Sequence, residues 1–157
     1  MPIITLNTTI QAPIQRCFDL SRSIDLHKLS TADTHEEAIA GVTSGLIDLN
    51  ETVTWRAKHL GIYQTLSTKI TELESPTFFV DEMISGAFQR FRHEHHFAAM
   101  DKSTCMTDIF DYTAPMGRLG KLADLIFLKR YMTKLLQRRN AVIKEMAESD
   151  SWKSFLL

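Results

Sequence analysis

His93-Glu94-His95-His96 places three imidazoles within four residues, and imidazole is the side chain that titrates near neutral pH. On a strand, alternation sends His93 and His95 to one face with Phe91 and Phe97, and Arg92, Glu94 and His96 to the other. Two imidazoles at i and i+2 can serve as hydrogen-bonded residues of a half-polar interior, as ligand contacts or proton carriers, or as metal ligands. Zinc takes three or four ligands. The further donors would have to be Asp81, Asp108 or His59 from other strands, which spacing alone does not place. No metal and no other cofactor is therefore expected.

Asp81 shares its strand face with Phe79 and Met83, and Asp108 shares one with Met106 and Phe110. A carboxylate on an otherwise apolar face is costly without a donor. If those faces are concave, His93 or His95 is the donor, and an Asp–His pair would orient an imidazole for acid/base work. The alternative is inverted parity, with both carboxylates in water beside Arg92 or Lys69, because a single bulge reverses every downstream assignment. Trp55, mid-strand on the apolar parity, offers a large apolar face and one N–H donor. Phe79, Met83, Phe91, Met106, Leu122 and Ile126 fit either a flexible apolar pocket wall or plain core.

These residues need a sheet to carry them. Ile3 to Ile10 alternates, Pro13 opens a short helix over 13 to 21, and Ser23 can cap a second over Ile24 to Leu29. Glu37 to Val42 reads as a short strand. Strands at 52–59, 64–72, 78–85, 89–97 and 104–112 follow, joined by short loops as an antiparallel meander. After Ala114-Pro115-Met116-Gly117 one amphipathic helix spans about 118 to 147. Its first half is broadly apolar (Leu119, Leu122, Leu125, Ile126, Phe127, Leu128), which suits either the deepest contact with the sheet or the mouth of a cavity. Arg130, Lys134, Arg138 and Arg139 read as its solvated basic side. Strands grouped together with a long helix at the end describe an α+β antiparallel sheet packed on one helix, not alternating βαβ units.

Composition narrows the classes. The chain has 157 residues, with 18 basic and 19 acidic side chains and a net charge of −1. One domain is expected over 1–157, with no overall field for nucleic acid. No apolar stretch approaches the ~20 residues of a membrane span. Met1-Pro2-Ile3-Ile4-Thr5 carries no basic region followed by an apolar run, so no signal peptide is expected and the cytoplasm is the expected compartment. Cys17 and Cys105 stand apart and match no CxxC spacing, which reads as reduced thiols. No glycine-rich phosphate loop and no Ser/His/Asp signature is present.

Val53-Thr54-Trp55-Arg56-Ala57-Lys58-His59-Leu60-Gly61, Phe79-Val80-Asp81-Glu82-Met83, Phe91-Arg92-His93-Glu94-His95 and Met106-Thr107-Asp108 resemble bacterial members of the START/Bet v 1-like (SRPBCC, polyketide cyclase-like) superfamily. The segment from Pro115 to Asp124 is similar to the start of the last helix in that subgroup. The resemblance covers essentially the whole chain. It implies the helix-grip fold, a curved antiparallel sheet around a long C-terminal helix with two short helices near the N-terminus, and a hydrophobic cavity between them. It does not imply one reaction. The expected function is binding or carriage of a small hydrophobic or amphipathic molecule (lipid, quinone or polyketide-like) by a monomer or homodimer without stable membrane insertion. The alternative is a cyclase/dehydratase-type enzyme using His93 or His95 with Asp81 or Asp108. The cavity is expected to be lined by Trp55, Phe79, Met83, Phe91, His93, His95, Met106 and Asp108, with Leu122 and Ile126 opposite. Arg56, Lys58, Arg92 and Glu94 should lie outside.

Overall fold

The alternating segments form one antiparallel sheet, and the order of strands across it follows from their short connections. In the computed structural model, which describes residues 2–157 apart from the side chains of Lys121, Asp124 and Leu125, seven strands are present. They are β1 (Ile3–Ile10), β2 (Glu37–Gly41), β3 (Thr52–His59), β4 (Ile62–Glu74), β5 (Phe78–Ser85), β6 (Arg90–Ala99) and β7 (Thr104–Thr113). Their order is β1-β7-β6-β5-β4-β3-β2. β2 to β7 are consecutive neighbours, and the chain crosses the sheet once, from β1 at one edge beside β7 to β2 at the other. α1 (Ile14–Ser21) and α2 (Ile24–Ser30) make that crossing. The Ser23 hydroxyl accepts from the Leu26 N–H at 3.2 Å, the cap that starts α2.

The terminal helix runs from Gly117 to Glu148 in three parts: α3 (Gly117–Ala123), a π-helical segment (Asp124–Leu128) and α4 (Lys129–Glu148). α5 (Lys153–Leu156) closes the chain. α4 packs on β1, α1 and α2. Its buried Ile143 and Ala147 hold it to the core under α1, where Cys17, Phe18 and Leu20 are also buried, while buried Leu136 packs with Ile4, Phe91 and Phe110. This is the α+β helix-grip arrangement expected from the sequence. The deepest part of the helix is its second half, since Leu119, Leu122, Ile126 and Phe127 are exposed. Leu128 and Met132 pack against a second apolar cluster that contains Phe91, Phe110 and Tyr112, while the Leu125 side chain lies outside the described residues.

Two irregularities in the β4–β5 pairing, at Ser67/Thr68 and Ile70/Glu72, absorb the sheet's bending. They leave β6 and β7 in continuous register. The parity read from the sequence therefore survives where the ionisable residues lie. β2 is held close to β3 at Gly41, whose φ of +73° is left-handed; a Cβ there would sit 2.1 Å from the Thr52 carbonyl oxygen. Gly41→Ala should thus cost about 2–3 kcal/mol, from left-handed strain and the forced shift of backbone. Urea unfolding of the variant checks this; a loss below about 0.5 kcal/mol would mean that the turn relaxes freely.

Candidate functional site

Strand register brings the ionisable residues together. Asp81 faces His93 and Phe79 faces His95 across β5–β6, while His95 faces Asp108 and His93 faces Phe110 across β6–β7. The hydrogen bonds run along the diagonals, as the reach of these side chains allows. His95 Nε2 lies 2.7 Å from Asp81 Oδ2, and His93 Nε2 lies 3.1 Å from Asp108 Oδ1. His95 Nδ1 is 3.0 Å from Asp108 Oδ1 but out of line for a hydrogen bond. His93 Nδ1 is 3.8 Å from Asp81 Oδ2. Phe79 stacks on the His95 ring with centroids 4.1 Å apart, and Phe110 meets His93 edge-on at 5.3 Å.

α4 completes the network from the opposite side. Arg139 Nη1 donates to Asp108 Oδ1 at 3.4 Å and Nη2 to the Ser21 carbonyl at 3.1 Å, and Asn140 Nδ2 donates to Asp108 Oδ2 at 2.6 Å. The sequence reading placed Arg139 on the solvated side of the helix; it is 7% exposed. The apolar stripe of α4, Leu136 to Ile143, passes through Arg139 and Asn140 at helical spacing, and that spacing was the available signal.

Burial alone would raise the pKa of Asp108, but its contacts with His93, His95 and Arg139 outweigh burial and hold it well below the ordinary carboxylate range. Asp81 behaves likewise: burial is overcome by the His95 hydrogen bond and by the positive charges that His93, His95 and Arg139 can carry, and its pKa is lowered. The two histidines diverge. His93 is pushed down by burial and by His95, against the pull of both carboxylates. For His95 burial also acts downward, but Asp108 and Asp81 prevail and its pKa is raised. Two adjacent imidazoles with opposite shifts are an asymmetric pair, one disposed to be neutral and the other to hold a proton.

Above this floor lies a cavity of about 340 Å³. Of the expected lining residues it is bordered by Trp55, Phe79, Phe91, His93 and His95, and Asp81, a candidate acid/base residue, borders it as well. Leu60, Pro115 and Phe127 form its exposed rim. Met83, Met106 and Asp108 point inward as their parity requires but are not at the cavity surface. Met83 packs in the apolar cluster around Phe91, Met106 is fully buried where the Ser21 hydroxyl donates to its sulfur, and Asp108 sits behind the histidines. Leu122 and Ile126, expected as the opposite wall, are 56% and 72% exposed. The π segment is the reason: its extra residue rotates α3 out of phase with the apolar stripe of α4. Phe127, Leu128, Tyr131, Met132 and Leu136 make that wall instead. Arg56 and Lys58 are exposed, and Arg92 lies on the outer face among Glu72, Glu82 and Glu94.

The cavity has a second polar side that spacing did not indicate as a group. His27 Nε2 meets Glu36 Oε1 at 2.8 Å, and the His27 ring packs 4.3 Å from that of Trp55. His59 Nδ1 lies 2.8 Å from the Tyr131 hydroxyl. Burial lowers the His59 pKa against the partial pull of Glu36, and burial raises that of Tyr131.

Solved structures share this architecture. The protein TTHA0849 from Thermus thermophilus superposes with a TM-score of 0.76 at 15% identity, over 93% of this chain and 97% of that one. A START superfamily protein from Mycobacterium smegmatis gives 0.70 at 8% identity over 93% and 97%, and the ginseng (Panax ginseng) major latex-like protein 151 gives 0.69 at 12% over 94% and 98%. This is the helix-grip fold of the START and Bet v 1-like proteins. No protein-family model matches the sequence, and no curated protein sequence matches it significantly. Among the described residues, no helix of this helix-grip chain is long and apolar enough to cross a membrane.

Asp108→Ala should destabilise the protein by about 3–5 kcal/mol, because Arg139 would be left buried without its carboxylate. Asp108 also predicts an acid limb. Its folded pKa lies below the unfolded value of about 3.9, so its contribution is complete above that range and is lost as pH falls through the folded pKa. His95 acts in the opposite direction: its contribution is complete below about pH 6.5 and is lost as pH rises through its raised folded pKa. Stability measured by denaturant unfolding across pH should therefore fall on both sides, and Asp108→Asn should flatten the acid limb.

Proposed function

We propose that the protein binds a small hydrophobic or amphipathic molecule in the cavity between sheet and helix, with the polar end of the ligand at His95 and Asp81 and its apolar body toward Leu60 and Phe127. The observation that carries this reading is the cavity itself: about 340 Å³, mostly aromatic and aliphatic walls, a hydrogen-bonding cluster at the bottom and the His27–Glu36 and His59–Tyr131 pairs on a second side. Small-molecule sites have this make-up, with volumes of about 300–1,000 Å³ and a few polar groups that set orientation. Arg139 behind Asp108 makes that floor a place for a hydroxyl, carbonyl or enolic oxygen, not for a second apolar end.

Native mass spectrometry of gently purified protein, followed by extraction, should reveal one apolar molecule per chain. Thermal stabilisation across a panel of lipids, quinones and aromatic polyketides should identify its class. An empty protein that no member of the panel stabilises would sink this reading. Trp55→Ala should weaken binding of the best panel member about tenfold or more, since a buried indole face is lost, whereas Arg56→Ala on the outer face should leave the Kd unchanged.

A second reading, an acid/base enzyme of cyclase or dehydratase type, draws on one observation: the 2.7 Å His95–Asp81 contact faces the cavity. Imidazole and carboxylate within hydrogen-bond reach are the minimum for such chemistry. With a substrate from the panel that is converted, His95→Ala should retain binding and lower turnover about a hundredfold or more. Unchanged turnover in that variant would reject the enzymatic reading.

A further inference from the structure

We propose that Asp81, His93 and His95 form a binding site for one divalent first-row transition-metal ion, Zn²⁺ or Fe²⁺, with its open coordination positions facing the apolar cavity. One ligand atom from each of the three residues lies within 4.8 Å of the others. The atoms that converge are Asp81 Oδ2, His95 Nε2 at 2.7 Å from it and His93 Nδ1 at 3.8 Å from it. Tetrahedral bonds of about 2.0–2.2 Å place ligand atoms roughly 3.3 Å apart. Opening the first separation and closing the second, each by well under an ångström, brings both carboxylate–imidazole distances to that value, and the two imidazole nitrogens start within 4.8 Å of each other. All three side chains border the cavity, so the ion would have protein on one side and the cavity on the other.

The arrangement behind the histidines supports the site independently. A ligating histidine typically donates its remaining ring N–H to a carboxylate, which holds the tautomer and the ring orientation. Asp108 Oδ1 accepts from His93 Nε2 at 3.1 Å and lies 3.0 Å from His95 Nδ1, which a ring reorientation would bring into line. The Nδ1 of His95 is buried and has no aligned hydrogen-bond partner. In the metal-free network the proton between His95 and Asp81 occupies the atom that would ligate. With an ion bound, the His95 Nε2 lone pair turns to the metal and the ring proton moves to Nδ1, beside Asp108. Arg139 and Asn140 fix Asp108 from α4, and the Arg139 charge keeps that carboxylate from competing as a ligand. Two imidazoles and one carboxylate on one side, with positions left open, suit zinc and non-haem iron; neither cysteine is at the cavity surface to draw a softer ion.

The metal site stands on its own geometry. That a cavity ligand would complete the coordination through an oxygen atom rests on the binding reading above. Full-length protein stripped with a chelator and dialysed should bind one Zn²⁺ per chain in calorimetric titration. Co²⁺ should give the visible absorption bands of a nitrogen/oxygen site. Asp81→Asn and His95→Gln, each checked for folding by circular dichroism, should weaken Zn²⁺ binding at least a hundredfold. His96→Gln, on the outer face beside Glu94, should leave it unchanged. Asp108→Asn, with all three ligands intact, should weaken it about 10–100-fold. Acetohydroxamic acid, a small oxygen donor, should shift the Co²⁺ bands if the open positions face the cavity. No saturable isotherm, or one that His96→Gln removes and Asp81→Asn leaves intact, overturns the site. Failure of Zn²⁺ to bind alongside retained binding of the best panel ligand overturns the metal and leaves the ligand-binding reading standing.

Discussion

A fully buried carboxylate has to be surrounded by donors, and Asp108 gathers them from three directions. His93 reaches it diagonally across the sheet, Arg139 and Asn140 come down from α4, and the His95 ring closes the ring-side contact. In a low-dielectric interior none of these groups is tolerable alone: an isolated Asp108 or Arg139 would cost several kcal/mol. Together they tie the middle of the sheet to the middle of the terminal helix. Arg139 extends the tie to α1 through the Ser21 carbonyl. The helix is thus held in one rotational setting by polar geometry, while Leu136, Ile143 and Ala147 supply the apolar contact that any setting would need.

That anchoring explains where the cavity lies. Below Arg139 the helix, α1 and α2 fill the space against the sheet with Phe18, Leu20, Leu26 and Ile143. Above it the sheet continues to bend but the helix passes into the π segment and lifts its apolar residues into solvent, so the volume is left unfilled. Leu60, Met116, Leu119, Ile126 and Phe127 are exposed around that end. Their exposure opposes the hydrophobic effect and is what an apolar entrance requires. The tightly packed end stabilises the fold, and the loosely filled end leaves room for a guest.

The polar floor divides labour between two carboxylates. Asp108 is enclosed by donors and serves as the fixed acceptor of the network. Asp81 remains partly accessible, faces the cavity and makes its one short contact to His95. The His93 and His95 rings lie 3.9 Å apart, centroid to centroid, yet are driven in opposite directions electrostatically, because burial and like-charge repulsion outweigh the carboxylates at His93 whereas the pull of Asp108 and Asp81 outweighs burial at His95. The proposed hydrogen bonding to a ligand, and the alternative reading of proton transfer, would draw on that asymmetry.

By itself the sequence determined the element order, the antiparallel class and the alternation within each strand, which puts His93 with His95 on one face of β6 and Met106 with Asp108 on one face of β7. These follow from local alternation and from short loops that leave neighbouring strands few ways to pair. Whether Asp81 and Asp108 faced the cavity or water stayed open, since one bulge within β5 or β7 would have inverted them; the irregularities fall in the β2–β3 and β4–β5 pairings, and the β5–β6 and β6–β7 pairings run without a shift. Tertiary structure alone decided that Arg139 is buried, that Leu122 and Ile126 are not wall residues, and that Asp81 and His95 are close enough to bond. The first two depend on the rotational phase of a helix broken by a π segment. The third depends on sheet twist, which selects diagonal over direct partners, and no periodicity along a single strand contains that information.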